Sequence, residues 1–175
     1  MEGLTWLERL GRRVPLYIQI KRGWLSVTDL SRGTAFETHT RVAYVPGTKR
    51  FEPCLVTDAD LAALRREWGD RLQIGDGFSH PRAPIGNPQF AEVALQIAVD
   101  HVLASRWQKP SRVILHLQDK WTGGYTEVEV RAMRDLAIMI GAAHVGFLMV
   151  AESLTSQDVL ALLNGTYSGP AQLRR

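Results

Sequence analysis

Residues 112–163 read RVILHLQDKWTGGYTEVEVRAMRDLAIMIGAAHVGFLMVAESLTSQDVLALL, and this stretch decides the fold class. Val113 to Leu117 is an apolar run of strand length. A Gly-rich connection through Gly123-Gly124 leads to Thr126-Glu127-Val128-Glu129, where a capping box (threonine, then glutamate three residues on) opens a helix that closes at Gly141. A second apolar run spans Val145 to Val150, and Glu152-Ser153 leads into a last helix. Strand, helix, strand, helix is the grammar of parallel βα units in an α/β domain.

Working outward, Leu16–Ile20 predicts a first strand, Trp24–Leu30 a second, and residues 34–45 a third. The connections Lys21-Arg22-Gly23 and Ser31-Arg32-Gly33 are short enough to force antiparallel hairpins. The expected sheet is a three-strand antiparallel meander continued by two parallel strands, in the order 3-2-1-4-5 and flanked by helices. Residues 46–57 read as irregular. Residues 58–72 read as a helix with Leu61, Leu64 and Trp68 on one face. The Gly/Pro-rich stretch 75–88 reads as the most mobile loop, and Pro88 starts a helix to Ala104 with Phe90, Val93, Ala94, Ile97 and Leu103 toward the core.

Residues 2–13 form an amphipathic pattern, with Leu4, Trp6, Leu7 and Leu10 apolar and Arg9, Arg12 and Arg13 basic. Such a helix either lies in a membrane interface or packs on protein, and both readings stay open. As a membrane anchor it would bind weakly unless assembly multiplied it. The expected organisation is an amphipathic helix over 1–13, a single α/β domain over 14–165 and a flexible tail over 166–175.

The 175 residues suit one domain with a genuine core, and 45% hydrophobic with 22% charged residues is a globular composition. The net charge of +3 is gathered near the termini, without a basic tract interleaved with aromatics, so nucleic acid is not an expected partner. Cys54 is the one cysteine, which excludes an internal disulfide and any cysteine-based zinc site. The five histidines, His39, His80, His101, His116 and His144, lack metal-site spacing. No metal or cofactor is expected. There is no long apolar span and no secretory signal pattern, so the expected location is the cytoplasm, with peripheral contact at the inner face of the membrane as one use of residues 2–13.

Thr126 to Asp135, TEVEVRAMRD, resembles the T-E-V-E-R-R-A-x-R-D string of the bacterial actin MreB. Gly141-Ala142-Ala143-His144-Val145 and the apolar residues to Glu152 are similar to the G-A-R-E-V and L-I-E-E-P that follow there. The resemblance implies a ribonuclease-H-like fold, equivalent to subdomain IA of an actin-like ATPase. It is strongest over 110–163, is supported over 14–46 by strand order, and covers at most about half of such an ATPase.

The resemblance also implies where chemistry would sit. MreB proteins hold phosphate on the first hairpin turn, D-L-G-T-A-N, whose small residues let backbone N–H groups approach the phosphates. The corresponding residues here are Gln19-Ile20-Lys21-Arg22-Gly23-Trp24. Gln19 replaces the acid and Lys21, Arg22 and Trp24 replace small residues, leaving a degenerate phosphate loop around Gly23. Glu129 occupies the position of the glutamate that helps position water in the family; its plainer role is the capping box. The remaining cleft elements would fall beyond residue 165.

The expected function is therefore that of a non-catalytic MreB-like protein, acting by protein–protein contact or self-association in cell-shape or filament scaffolding. Leu154, Val159, Leu160 and Leu163 on the last helix are the expected partner contacts. The alternative is a ribonuclease-H-like or nucleotide hydrolase whose site is completed across an oligomer, with Asp29, Asp119 and Glu152 as its carboxylates. A decayed half-actin without selected function is the third reading.

Overall fold

The computed structural model describes residues 13–47, 53–105, 107–119, 125–169, 171 and 173. In chain order the described elements are β1 (Arg13–Lys21), β2 (Trp24–Asp29), β3 (Ala35–His39), β4 (Arg41–Tyr44), β5 (Cys54–Leu55), α1 (Asp58–Trp68), a 3₁₀ turn (Gly69–Arg71), β6 (Gln73–Asp76), α2 (Pro88–Val102), β7 (Lys109–Leu117), α3 (Glu127–Met139), β8 (His144–Leu148) and α4 (Ser156–Asn164).

The main sheet runs β3-β2-β1-β7-β8. β1 is central, antiparallel to β2 and parallel to β7, with Gln19 opposite Ser26 on one side and His116 on the other. β7 is parallel to β8, and β2 antiparallel to β3. β1 starts at Arg13, earlier than the apolar run indicates. Pro15, which has no N–H to donate, is absorbed by a register shift between Val14 and Leu16, and its carbonyl accepts the Leu30 amide at 2.9 Å. The helix expected over 2–13 lies outside the described residues, except that Arg13 is a strand residue opposite Lys109.

The third expected strand, 34–45, is in fact two. The chain leaves the main sheet at Thr40 and enters a three-stranded sheet of order β5-β4-β6, so residues 46–57 are not wholly irregular. Thr40 is buried, and its hydroxyl donates to Asp76 Oδ1 at 2.7 Å, the same oxygen that accepts the Phe78 amide at 2.8 Å. Phe78 is fully buried and the Gly77 carbonyl accepts the Gly86 amide at 2.7 Å, so the Gly/Pro stretch is pinned at both ends of its turn. The helix expected over 58–72 ends at Trp68, where Gly69 takes a φ of 55°.

Two apolar layers sandwich the main sheet. Leu16, Ile18, Ile20, Val113, Leu115 and Phe147 meet α2 and α3, while Tyr17, Ile114 and Leu148 meet Val159 of α4. α2 buries Ala91, Ala94, Leu95, Ala98, Val99 and Val102, rather than the face centred on Phe90, Val93, Ile97 and Leu103. Its alanines let the helix axis approach the sheet closely, and the larger residues pack at the margin. Three helices start with the same reciprocal cap: Thr57 with Asp60, Thr126 with Glu129, and Thr155 with Asp158. In the expected tail, Tyr167, Ala171 and Leu173 pack against the Val159 layer.

Candidate functional site

In an open α/β sheet, ligands meet the carboxyl ends of parallel strands. Here that end gathers Gln19 and Lys21 from β1, His116 from β7 with Gln118 and Asp119 just past it, and the Val150–Ser153 segment after β8. The hairpin beyond β1 turns at Arg22-Gly23, with Gly23 at a φ of 71°, the left-handed value that favours glycine. The Asp119 carboxylate accepts the Arg22 backbone amide at 2.5 Å, and Tyr125 donates its hydroxyl to the Asp119 carbonyl at 2.7 Å. The Arg22 guanidinium reaches the Pro81 carbonyl at 3.2 Å, and the Lys21 ammonium lies 5.1 Å from the centre of the Trp24 ring. The turn is thus held by an internal anion, and its bulky side chains are engaged by neighbours.

Beneath the turn lies a buried polar chain. His116 is 0% exposed, and its Nε2 stands 2.8 Å from the Val150 carbonyl. A carbonyl only accepts, so Nε2 carries the ring proton. Nδ1 of the neutral ring then accepts from the Tyr17 hydroxyl. Burial pushes the Tyr17 pKa up to about 12, against a lowering by hydrogen bonds from the Leu154 backbone and Gln19, which keeps the phenol a donor at neutral pH. Burial also lowers the His116 pKa, opposed by the bond to Val150. Just past the end of β7, Gln118 is 6% exposed and donates Nε2 to Ser153 Oγ at 3.0 Å, while its Oε1 meets no protein donor among the described residues. Together these groups tie β1 and β7 to the segment between β8 and α4.

Glu129 is engaged elsewhere. Its Oε2 accepts the Thr126 amide at 2.7 Å and the Thr126 hydroxyl at 2.8 Å, while Thr126 Oγ1 accepts the Glu129 amide at 3.3 Å. Thr126→Ala should lower stability by about 0.5–2 kcal/mol in urea denaturation. No change there would remove the cap assignment.

The carboxylates of the hydrolase alternative do not converge. Asp29 pairs in register with Leu16, at the opposite end of β1 from Asp119. Its two oxygens accept from Ser31 and Arg32 and close the β2–β3 turn, the Asp29–Arg32 ion pair measuring 2.6 Å. Glu152 is exposed on the segment after β8, at the same end of the sheet as Asp119, so Asp29 is the carboxylate set apart. No three His, Cys, Asp or Glu side chains among the described residues are grouped to hold a metal.

Of the expected contact residues, Leu4, Trp6, Leu7, Arg9, Leu10 and Arg12 lie outside the described residues. Arg13 directs its guanidinium at the Pro110 carbonyl, 3.4 Å away. On α4, Val159 needs correction: it is 0% exposed and forms the middle of the second apolar layer, because the sheet face carrying Tyr17, Ile114 and Leu148 needs cover. Leu154, Leu160 and Leu163 are partly buried against the same layer. Sequence reasoning passed over Tyr17, His116 and Gln118 as site residues. The visible signal was polar atoms at positions 17, 116 and 118 within otherwise apolar strands.

No protein-family model matches the chain, and no curated protein matches it. Solved structures do. MreB5 of Spiroplasma citri bound to ADP superimposes with a TM-score of 0.55 at 15% identity, over 77% of this chain and 37% of that one. The same protein bound to AMPPNP gives 0.50 at 16% identity, over 75% and 37%. A non-polymerising mutant of MamK bound to AMPPNP gives 0.56 at 14% identity, over 77% and 41%. The fold is therefore that of bacterial actin-like proteins, and the chain spans 37–41% of the length of those it matches.

Proposed function

We propose that this chain is a non-catalytic actin-like protein that works through protein–protein contacts in filament or cell-shape scaffolding. The observation that carries the reading is the hydrogen bond from the Arg22 amide to the Asp119 carboxylate. At the turn where an actin-like ATPase would present backbone N–H groups to phosphate, this chain supplies its own anion. A phosphate arriving there would compete with a carboxylate already at hydrogen-bond distance and be repelled by it. Gln19 in place of the acid adds to this, since a neutral amide brings no negative charge to a magnesium ion, which proteins hold through carboxylates and waters. MreB5 and MamK are bound to adenine nucleotides; for this chain the reading is that the turn has lost that use.

The domain would be the single unit over 14–165, acting at the cytoplasmic side with residues 2–13 as an auxiliary membrane or partner contact. Among the described residues no helix is long and apolar enough to cross a membrane. Self-association is the simplest partnership for an actin-like fold.

Titration with ATP and magnesium in a calorimeter, at concentrations that resolve a millimolar dissociation constant, should give no binding heat. Magnesium-dependent heat would overturn the proposal and put the hydrolase reading first.

A further inference from the structure

β8 is the outer strand of the main sheet and, among the described residues, pairs with β7 alone. The Ala143 amide donates to the Ser111 carbonyl at 3.1 Å, so in a parallel ladder His144, Gly146 and Leu148 turn their backbone groups the other way, to the rim. An uncovered rim of that kind invites another strand. Here the chain covers it itself. Gly146 is buried, and a Cβ at that position would lie 2.8 Å from Leu173 Cδ1. Leu173 also walls a groove of about 850 Å³ together with Arg134, Ile138, His144 and Leu163, and no aspartate or glutamate is among the described lining residues.

The segment that carries Leu173 is held lightly. α4 is complete before it begins: Gly165 closes the helix at a φ of 70°, and the Gly165 and Thr166 amides donate to the Leu162 and Ala161 carbonyls at 3.2 and 2.9 Å. From Tyr167 to Leu173 the described residues make no backbone hydrogen bond to the sheet. Their hold is the packing of Tyr167, Ala171 and Leu173 on the layer around Val159, and of these only Ala171 is buried rather than half-buried. A segment fixed by a few side chains, without backbone bonds, opens at far lower cost than the strand beneath it.

We propose that residues 166–173 are an autoinhibitory strap: docked, they shut the β8 edge, and released, they leave it to pair with β8 of a second copy. Antiparallel pairing about a two-fold axis at Gly146 sets Val145 opposite Phe147 of the other copy, twice over, an aliphatic against an aromatic side chain. The two His144 side chains then stand at opposite ends of the ladder, about 13 Å apart along it, so like groups do not meet. The glycines at the axis face each other across about 5.5 Å, and a Leu173 docked against each would contest that gap. Strap docking and strand pairing therefore exclude one another. The inference rests on the reading that the chain works through protein contacts, and it names what would regulate self-association.

Sedimentation of the full chain tests this. The wild-type chain should run as a monomer over the concentrations where Leu173→Lys dimerises, with self-affinity raised about tenfold or more. Lysine removes the apolar anchor, and a groove with Arg134 and no acid among its described lining residues opposes its return. Gly146→Ala is the second variant: its Cβ displaces Leu173 from the strand side and leaves the edge backbone unaltered. Adding His144→Pro to either should restore the monomer, since proline there removes an outward N–H and spares the ladder to β7. Monomers in both variants, a variant dimer indifferent to His144→Pro, or a wild-type dimer that Leu173→Lys dissociates overturns the proposal. Magnesium-dependent nucleotide heat would sink the non-catalytic reading and leave the strap standing, so the two failures are distinguishable.

Discussion

Gly77→Ala is expected to destabilise the protein by about 3 kcal/mol, toward the upper end of overpacking effects. A Cβ on residue 77 would lie 2.2 Å from the Ala91 backbone nitrogen and 2.3 Å from its Cα. Those are backbone atoms in the first turn of α2, and they cannot rotate aside as a side chain can. Relief requires moving α2 away from the chain after β6, yet α2 places Ala91, Ala94, Leu95, Ala98 and Val99 in the core. The same shift would strain the Gly77 carbonyl bond to the Gly86 amide and the seat of Phe78. Gly23→Ala is the control: its added Cβ meets nothing within 4 Å, and the cost is the left-handed φ of 71°, about 1–2 kcal/mol. Urea denaturation of both variants should separate them with unchanged m-values; equal losses would mean that the Gly77–Ala91 approach is not a packing constraint.

That close approach marks where the sequence stops being legible. The strands of the main sheet announce themselves because β1, β7 and β8 are covered on both faces and read as apolar runs, with turns at Arg22-Gly23 and Arg32-Gly33. The second sheet does not. β4, β5 and β6 are two to four residues long, and what breaks residues 34–45 in two is no Gly or Pro but the bond from Thr40 to Asp76, far along the chain. Strands that short exist through tertiary pairing, which local pattern does not encode. The caps show the converse: Thr57 and Thr155 carry the same spacing to an acidic residue as Thr126, with Asp in place of Glu, and were readable by the same rule.

At the candidate site the altered turn was legible residue by residue, since Gln19, Lys21 and Arg22 are substitutions in a short motif. Asp119 as the turn's internal anion was not, because it is 97 positions from Arg22 and only the parallel pairing of β1 with β7 brings them together. The Tyr17–His116 pair, 99 positions apart, was hidden for the same reason.

That pair carries the second large expectation. His116→Leu should cost about 2–4 kcal/mol at pH 7.5, because it keeps an apolar side chain in the space but leaves the buried Tyr17 hydroxyl proton without its acceptor and the half-buried Val150 carbonyl without its donor. The cost should also depend on pH. Burial holds the folded His116 pKa below its unfolded value near 6.5, with Lys21 lowering it further and Glu152 opposing. As pH falls through about 6.5 the unfolded chain takes up a proton that the folded chain refuses, so wild-type stability declines toward acid, by up to about 1.4 kcal/mol per pH unit from this group. The variant has no such group. Its deficit should therefore be largest at pH 7.5 and shrink on lowering the pH through 6.5 toward the folded pKa. Urea titrations of both proteins at pH 7.5, 6.5 and 5.5 read this difference directly, with every other titrating group common to the two. A deficit that stayed constant with pH would mean that His116 is not held neutral in the fold, and the proton assignment that makes Tyr17 its donor would fall with it.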